Sequence, residues 1–432
     1  MKKQLQIFLD FLRFCIGSAK EIPDSLKEVD WKEQYAIAKK QCLVGVLFDG
    51  IKRLPAEHVG MKKELLLQWM AESQMLEKTN VRLNDAAIQV SEWFRKKGFR
   101  TCVLKGQGNA LMYPNPYSRT PGDIDLWVDG GDKRVISFVR SISPHEKACY
   151  HHIEFPSYKG VEVEVHYRPS FLLCFWHNRK LQKYYERVKE EQFSHRVVLG
   201  AKGEIAIPTA EFNLIFQLTH IYAHLMNEGI GLRQLLDYFF LLKNTDFSGN
   251  TDGGAFLSNT DSTDNTDRIG GNVESGGSLV NTDFTDDTDK FSGNTDGDGF
   301  LLNTNCSDNT DRIGGNADGV DRRFLQNELR ELGLWKFAGG IMYIMQEVFG
   351  MPASRLIVPP HEKYGKFVLN EVLEAGNFGK HDARNRFGRS PFGHNLQRVY
   401  RDIRLVRYFP TEALSEPIFR IWHFFWRCYQ KM

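Results

Sequence analysis

The chain of 432 residues is short of cysteine, with seven in all and no C-x-x-C spacing among them. An odd, scattered set predicts neither a disulfide framework nor a thiolate zinc site, and a reducing cytoplasm is the simplest setting. The chain also has no uninterrupted apolar run of the ~20 residues that a bilayer requires. Its apolar start is broken by Asp10 and Arg13, while Leu5, Phe8, Leu9, Leu12 and Ile16 share one helical face. That pattern reads as an amphipathic helix rather than a signal or anchor segment. Charge of one sign is scarce too, the formal net charge being only +2.

That average hides a split. Residues 244–321 carry 16 acidic and 3 basic side chains, a net of −13, which leaves the remainder at +15. The basic remainder suits a polyanionic ligand such as a nucleotide. Nucleic acid stays open as a partner but is not favoured, because solvated helix faces account for the same charge. The acidic stretch Asn244–Asp321 is built of Asn, Thr, Asp, Gly and Ser. It repeats FSGNTDG from Phe247 and Phe291, and DNTDRIGGN from Asp264 and Asp308. Two copies with almost no apolar face cannot offset chain entropy, so a disordered insertion is expected. Calcium binding is the alternative, without an EF-hand loop in register to support it.

What is present centres on Thr101–Val128. Thr101–Leu104 is short, apolar and β-prone, and ends in Lys105-Gly106; a turn-rich segment then leads to a second strand, GDIDLWV. Alternate side chains of a strand share a face, so Asp123 and Asp125 point one way and Ile124, Leu126 and Val128 point into a core. Adjacent carboxylates repel, and a hard cation such as Mg²⁺, which prefers carboxylate and phosphate oxygens, relieves the repulsion. A further acid is expected on a neighbouring strand. Val161–Tyr167 alternates strictly, with Glu162, Glu164 and His166 opposite Val161, Val163 and Val165. Cys149–Phe155 is predicted to pair with it across a turn at residues 156–160, and His151 and His152 read as ordinary polar strand residues.

The order Leu104-Lys105-Gly106, Tyr113-Pro114, Arg119, Asp123-x-Asp125 and Glu164-x-His166 resembles an uncharacterised bacterial nucleotidyltransferase family of the DNA polymerase beta-like superfamily. The chain departs from the wider superfamily at Gly106-Gln107, where Gly-Ser or Gly-Gly is usual. The resemblance implies an α+β fold with a small mixed-sheet core. It implies Asp123, Asp125 and Glu164 as catalytic residues holding Mg²⁺ or Mn²⁺, with Glu164 preferred to Glu162 because of the E-x-H spacing. Lys105, Gly106, Arg119 and His166 would contact a nucleoside triphosphate, and the hydroxyl acceptor stays unidentified. The rival readings are a non-catalytic nucleotide- or partner-binding protein and a metal-dependent phosphohydrolase.

Around that core the periodicity is helical. Residues 1–97 read as an N-terminal helical region, 98–205 as the catalytic core, and 206–432 as a C-terminal helical domain interrupted by 244–321. Thr209 is the expected N-cap of a helix carrying His220 and His224, which read as packing or substrate-facing rather than metal ligands. On the next helix Arg233 and Asp237, four apart, either pair with each other or face the cleft. The Arg- and aromatic-rich tail from His394 reads as an amphipathic helix closing the bundle, with membrane or nucleic acid as the alternative contact.

Overall fold

The computed structural model describes residues 3–200, 203–248, 319–382, 384 and 391–431. Four helices precede the sheet: α1 (Lys3–Cys15), α2 (Trp31–Gln41), α3 (Val44–Ile51) and α4 (Lys63–Lys96). The amphipathic α1 buries Phe8, Leu9 and Leu12, as the spacing requires. Asp30 caps α2, accepting from the Lys32 and Glu33 N–H groups. The long α4 buries Leu83, Ala87, Val90 and Phe94 and stops at Gly98, whose φ of 80° is left-handed.

The core follows in the order β1 (Thr101–Leu104), α5 (Gly106–Ala110), β2 (Ile124–Val128), α6 (Gly131–Ile142), β3 (His152–Tyr158) and β4 (Val161–His166). The sheet runs β1-β2-β4-β3, with β2 and β4 parallel and the outer pairs antiparallel. Period-two alternation sorts its side chains. Val103, Ile124, Leu126, Val128, Val161, Val163 and Val165 join one core with α4 and α6 residues such as Phe94 and Val135. Cys102, Leu104 and Trp127 join the second, larger core on the helical side. The fold is therefore α+β.

The β3–β4 turn is tighter than expected. Lys159 and Gly160 alone make it, with φ of 52° and 75°, and positive φ at both central residues is what a two-residue hairpin of this hand demands. Pro156 instead sits inside β3, at a register shift between Phe155 and Tyr158. An edge strand tolerates proline because the missing N–H need not enter the ladder.

The helical half comprises α7 (Phe175–Ser194), the hairpin β5 (Arg196–Leu199) and β6 (Gly203–Ala206), α8 (Ala210–Asn227) and α9 (Leu232–Asn244). After β7 (Phe247–Ser248) and β8 (Val320–Asp321), which pair in parallel, come α10 (Arg322–Glu331), α11 (Trp335–Glu347), α12 (Glu362–Ala375), α13 (Pro391–Val406) and α14 (Pro410–Lys431). Thr209 precedes α8, but its hydroxyl bonds Gln192 Oε1 at 3.2 Å and does not cap the helix. Disorder is expected over Asn244–Asp321, but Asn244 ends α9 and residues 247–248 and 320–321 form β7 and β8; residues 249–318 lie outside the described residues. Among the described residues, no helix is long and apolar enough to cross a membrane.

Candidate active site

The parallel pairing of β2 with β4 builds the site. It sets Asp125 directly opposite Glu164, and Asp123 stands just before β2 on the same face. Asp123, Asp125 and Glu164 each present a carboxylate oxygen, and the three oxygens lie within 4.8 Å of one another. Glu162, the competing third acid, is exposed and stands outside this group.

Lys105 closes the other side. Leu104 pairs with Asp125 across the sheet, and the chain turns sharply at the next residue. Lys105 has a φ of 54°, a conformation that costs a non-glycine residue roughly 1–3 kcal/mol unless its surroundings hold it. The turn brings its Nζ 2.8 Å from Asp125 Oδ1 and 3.2 Å from His220 Nε2. Gly106 follows with a φ of 37°, so it too favours glycine. His166 approaches from β4, its Nε2 lying 3.0 Å from Asp125 Oδ1 and 3.4 Å from Glu164 Oε2. The buried Nδ1 of His166 has no partner among the described residues.

These contacts set the protonation states. The charge of Asp125, reinforced by burial, pushes Asp123 up to about 6. Burial opposes ionisation of Asp125, but Lys105 and His166 outweigh it and hold that carboxyl well below the usual range. Burial likewise works against Glu164, and the hydrogen bond from His166 overcomes it. Burial would keep His166 neutral, yet Asp125 and Glu164 raise it to about 9, so it stays cationic at neutral pH.

Arg119 is placed differently from the residues around it. It is 5% exposed and donates a bidentate pair to Asp237, Nε to Oδ1 and Nη2 to Oδ2 at 2.8 Å each. Tyr113 adds a hydroxyl donor to the same carboxylate at 2.7 Å. Asp237 is thus taken by Arg119. Arg233, its neighbour one turn away, donates to the Thr120 carbonyl oxygen at 3.1 Å, and its Nε has no partner among the described residues. Lys105, Gly106, Arg119, Asp123, Asp125, His220, Arg233 and Phe378 line a cavity of about 40 Å³. The Arg233 guanidinium lies over the Phe378 ring, 5.6 Å from its centre. A roomier cavity of about 1060 Å³, lined by Trp127, Asp129, Arg168 and Trp176, contains none of the predicted site residues.

The sequence reading missed two contributors. His152 faces His166 in the β3–β4 register and brings its Nδ1 3.3 Å from Glu164 Oε2. Extending the alternation of β4 to its hairpin partner was the signal that could have found it. Phe378 comes from the far end of the chain, and no local pattern marks it. His220 meets Lys105, whereas His224 lies 3.4 Å from Glu228 Oε2. The chain carries one His-Asp doublet, His381-Asp382, of the kind one class of phosphohydrolase uses. Asp382 is held there by Arg384 at 2.8 Å, and among the described residues neither member joins a metal-ligand group.

The chain matches the family described as uncharacterised nucleotidyltransferase over residues 27–266. A solved structure, the antigenic nucleotidyltransferase-like protein from Paracoccidioides brasiliensis, is similar at 15% identity over 39% of this chain and 78% of that one, with a TM-score of 0.25. No curated protein matches the chain significantly.

Proposed function

The chain belongs to the uncharacterised nucleotidyltransferase family, and on that premise we propose that it moves a nucleoside monophosphate from a nucleoside triphosphate to a hydroxyl acceptor, using a divalent cation. The observation that carries this reading is the convergence of Asp123, Asp125 and Glu164 beside Lys105. The donors are hard carboxylate oxygens, and Asp123 and Asp125 repel strongly enough to displace the titration of Asp123. That chemistry fits Mg²⁺ or Mn²⁺, held by Asp123, Asp125 and Glu164. When bound, such an ion supplies charge neutralisation at the phosphates and polarises the bond being broken.

The chain's own groups divide the remaining work. Lys105 offers its ammonium to the triphosphate, exchanging Asp125 for phosphate oxygen as a partner. Gly106 lets backbone approach the phosphates closely. Arg233, which lines the same cavity, is the second cation offered to the phosphates; Arg119 holds Asp237 and so shapes the cavity beneath it. Glu164 completes the cation site or accepts the proton of the attacking hydroxyl, and His166 fixes the orientation of both Asp125 and Glu164.

A second reading is nucleotide binding without turnover, favoured by the way Lys105 and His166 already neutralise Asp125. The test is incubation of purified protein with labelled triphosphates and cell extract, with and without Mg²⁺. Transfer of label to an acceptor, with pyrophosphate release that needs Mg²⁺, is the expected result. Consumption of no triphosphate under any condition would remove the transferase reading.

A further inference from the structure

On the flank of the carboxylate group the chain gathers a second set of donors that nucleotidyl transfer does not employ. Cys149, His151 and His152 each present one ligand atom, and these three atoms lie within 4.8 Å of one another. The thiol lies 3.6 Å from His151 Nδ1, and His151 Nε2 lies 3.1 Å from His152 Nδ1. We propose that Cys149, His151 and His152 form a binding site for a borderline-soft transition-metal ion of the Zn²⁺ class, distinct from the site for Mg²⁺.

The donor set decides the class of ion. One sulfur and two imidazoles suit zinc and its neighbours, and hard cations such as Mg²⁺ avoid them. Three protein ligands leave one position of a tetrahedral ion open. The backbone that carries them is pinned before any ion arrives: the Cys149 N–H bonds the His152 carbonyl oxygen at 2.9 Å, and the Tyr167 N–H bonds that of His151 at 3.0 Å. The Tyr167 hydroxyl donates to the Cys149 carbonyl oxygen as well. All three ligands are half-buried, so an ion can reach them from solvent.

Burial keeps both imidazoles neutral, with His152 down at about 4, so their lone pairs are available. Burial also pushes the Cys149 thiol up to about 11, so coordination must release one proton from sulfur to solvent. The ion's structural consequence follows from His152, which is 3.3 Å from Glu164. Coordination through its Nδ1, the atom nearest Glu164, would withdraw that nitrogen from the third acid. The other sulfur-containing group, Cys174–His177–Glu412, differs: Glu412 already accepts the backbone N–H of Leu173 at 2.6 Å.

The experiment uses the full chain freed of metal, with Co²⁺ as a spectroscopic probe and Zn²⁺ titrated against a chromophoric chelator. Wild type is expected to show a thiolate-to-cobalt charge-transfer band that Zn²⁺ abolishes. Cys149→Ser should lose the band, and His151→Gln should weaken Zn²⁺ binding by at least about 10-fold. The Asp123→Ala/Asp125→Ala double variant should keep the band, which separates this site from the carboxylate one, and Cys174→Ser should keep it too. Circular dichroism verifies that each variant folds. If Cys149→Ser does not fold, the His151→Gln titration decides alone. Absence of a thiolate band in wild type, or unchanged Zn²⁺ affinity in a folded Cys149 or His151 variant, overturns the proposal.

Discussion

Two charge clusters meet at one small cavity, through Arg119 and Asp237 on one side and Lys105, Asp123 and Asp125 on the other, and are built to opposite ends. In the first, Arg119 meets Asp237 through two bonds of 2.8 Å, and the Tyr113 hydroxyl donates to the same carboxylate. Charges balance, and each partner holds the other ionised: Asp237 is kept below its usual range because Arg119 outweighs its burial. In the second, three carboxylates face one lysine and one histidine, and the imbalance emerges as an Asp123 that protonates at about 6. The first cluster is complete and does structural work. The second is short of positive charge, as the proposed cation site requires. Ionisable groups in a cleft are therefore told apart by whether their partners satisfy them.

The largest effect should come from breaking the complete cluster. Asp237→Asn leaves the Arg119 guanidinium buried without its counter-ion, and such losses run to roughly 3–5 kcal/mol. Chemical denaturation should show that drop. An unchanged midpoint would mean that the two clusters are alike after all. The Asp123→Ala/Asp125→Ala variant should behave in the reverse sense, keeping its fold by circular dichroism while losing Mg²⁺-dependent pyrophosphate release. Undiminished release by that variant would remove both residues from the chemistry.

Next in size is a pH effect confined to the incomplete cluster. The Asp125 charge and burial push Asp123 up to about 6 in the folded chain, against an ordinary aspartate value of 3.8. Between those values the native state binds more protons than the unfolded one, so stability falls as pH rises through that window. Asp123→Asn removes the loss. The variant should match wild type below about pH 4 and exceed it above about pH 6 in urea melts. Adding Mg²⁺ should reverse the order, since only wild type has the full oxygen set. A variant less stable than wild type at pH 7 without metal would contradict the repulsion. The smallest effect is expected from replacing residues 249–318 with a short Gly/Ser linker. Their composition offers little to bury, so the melting temperature should hardly move, and a large fall would show that the segment packs.

The site was legible in sequence where it depends on strand alternation. Asp123, Asp125, Glu164 and His166 share a face because the period of a strand is two, and Lys105 stands at a strand end that the apolar run of Thr101–Leu104 marks out. What alternation cannot give is the partner across the fold. Arg119 reads as a phosphate contact until Asp237, 118 residues away, takes it. Arg233 and Asp237 have the spacing of a helical pair, but the two stronger bonds from Arg119 claim the carboxylate. His151 and His152 read as ordinary polar residues, and the approach of His152 to Glu164 depends on the hairpin register. The turn expected at residues 156–160 is shorter in the structure, because an edge strand can hold Pro156.

The claim that the incomplete cluster performs displacement chemistry turns on Glu164. A binding module has little use for a third carboxylate beside a triphosphate, where like charges repel, unless cations neutralise it. The decisive measurement takes wild type and Glu164→Gln from parallel preparations and reads triphosphate affinity and pyrophosphate release together, with Mg²⁺ present. Retained binding with lost release in Glu164→Gln is the predicted result. Tight binding by wild type without pyrophosphate release in any acceptor pool, matched by equal binding in Glu164→Gln, would contradict it.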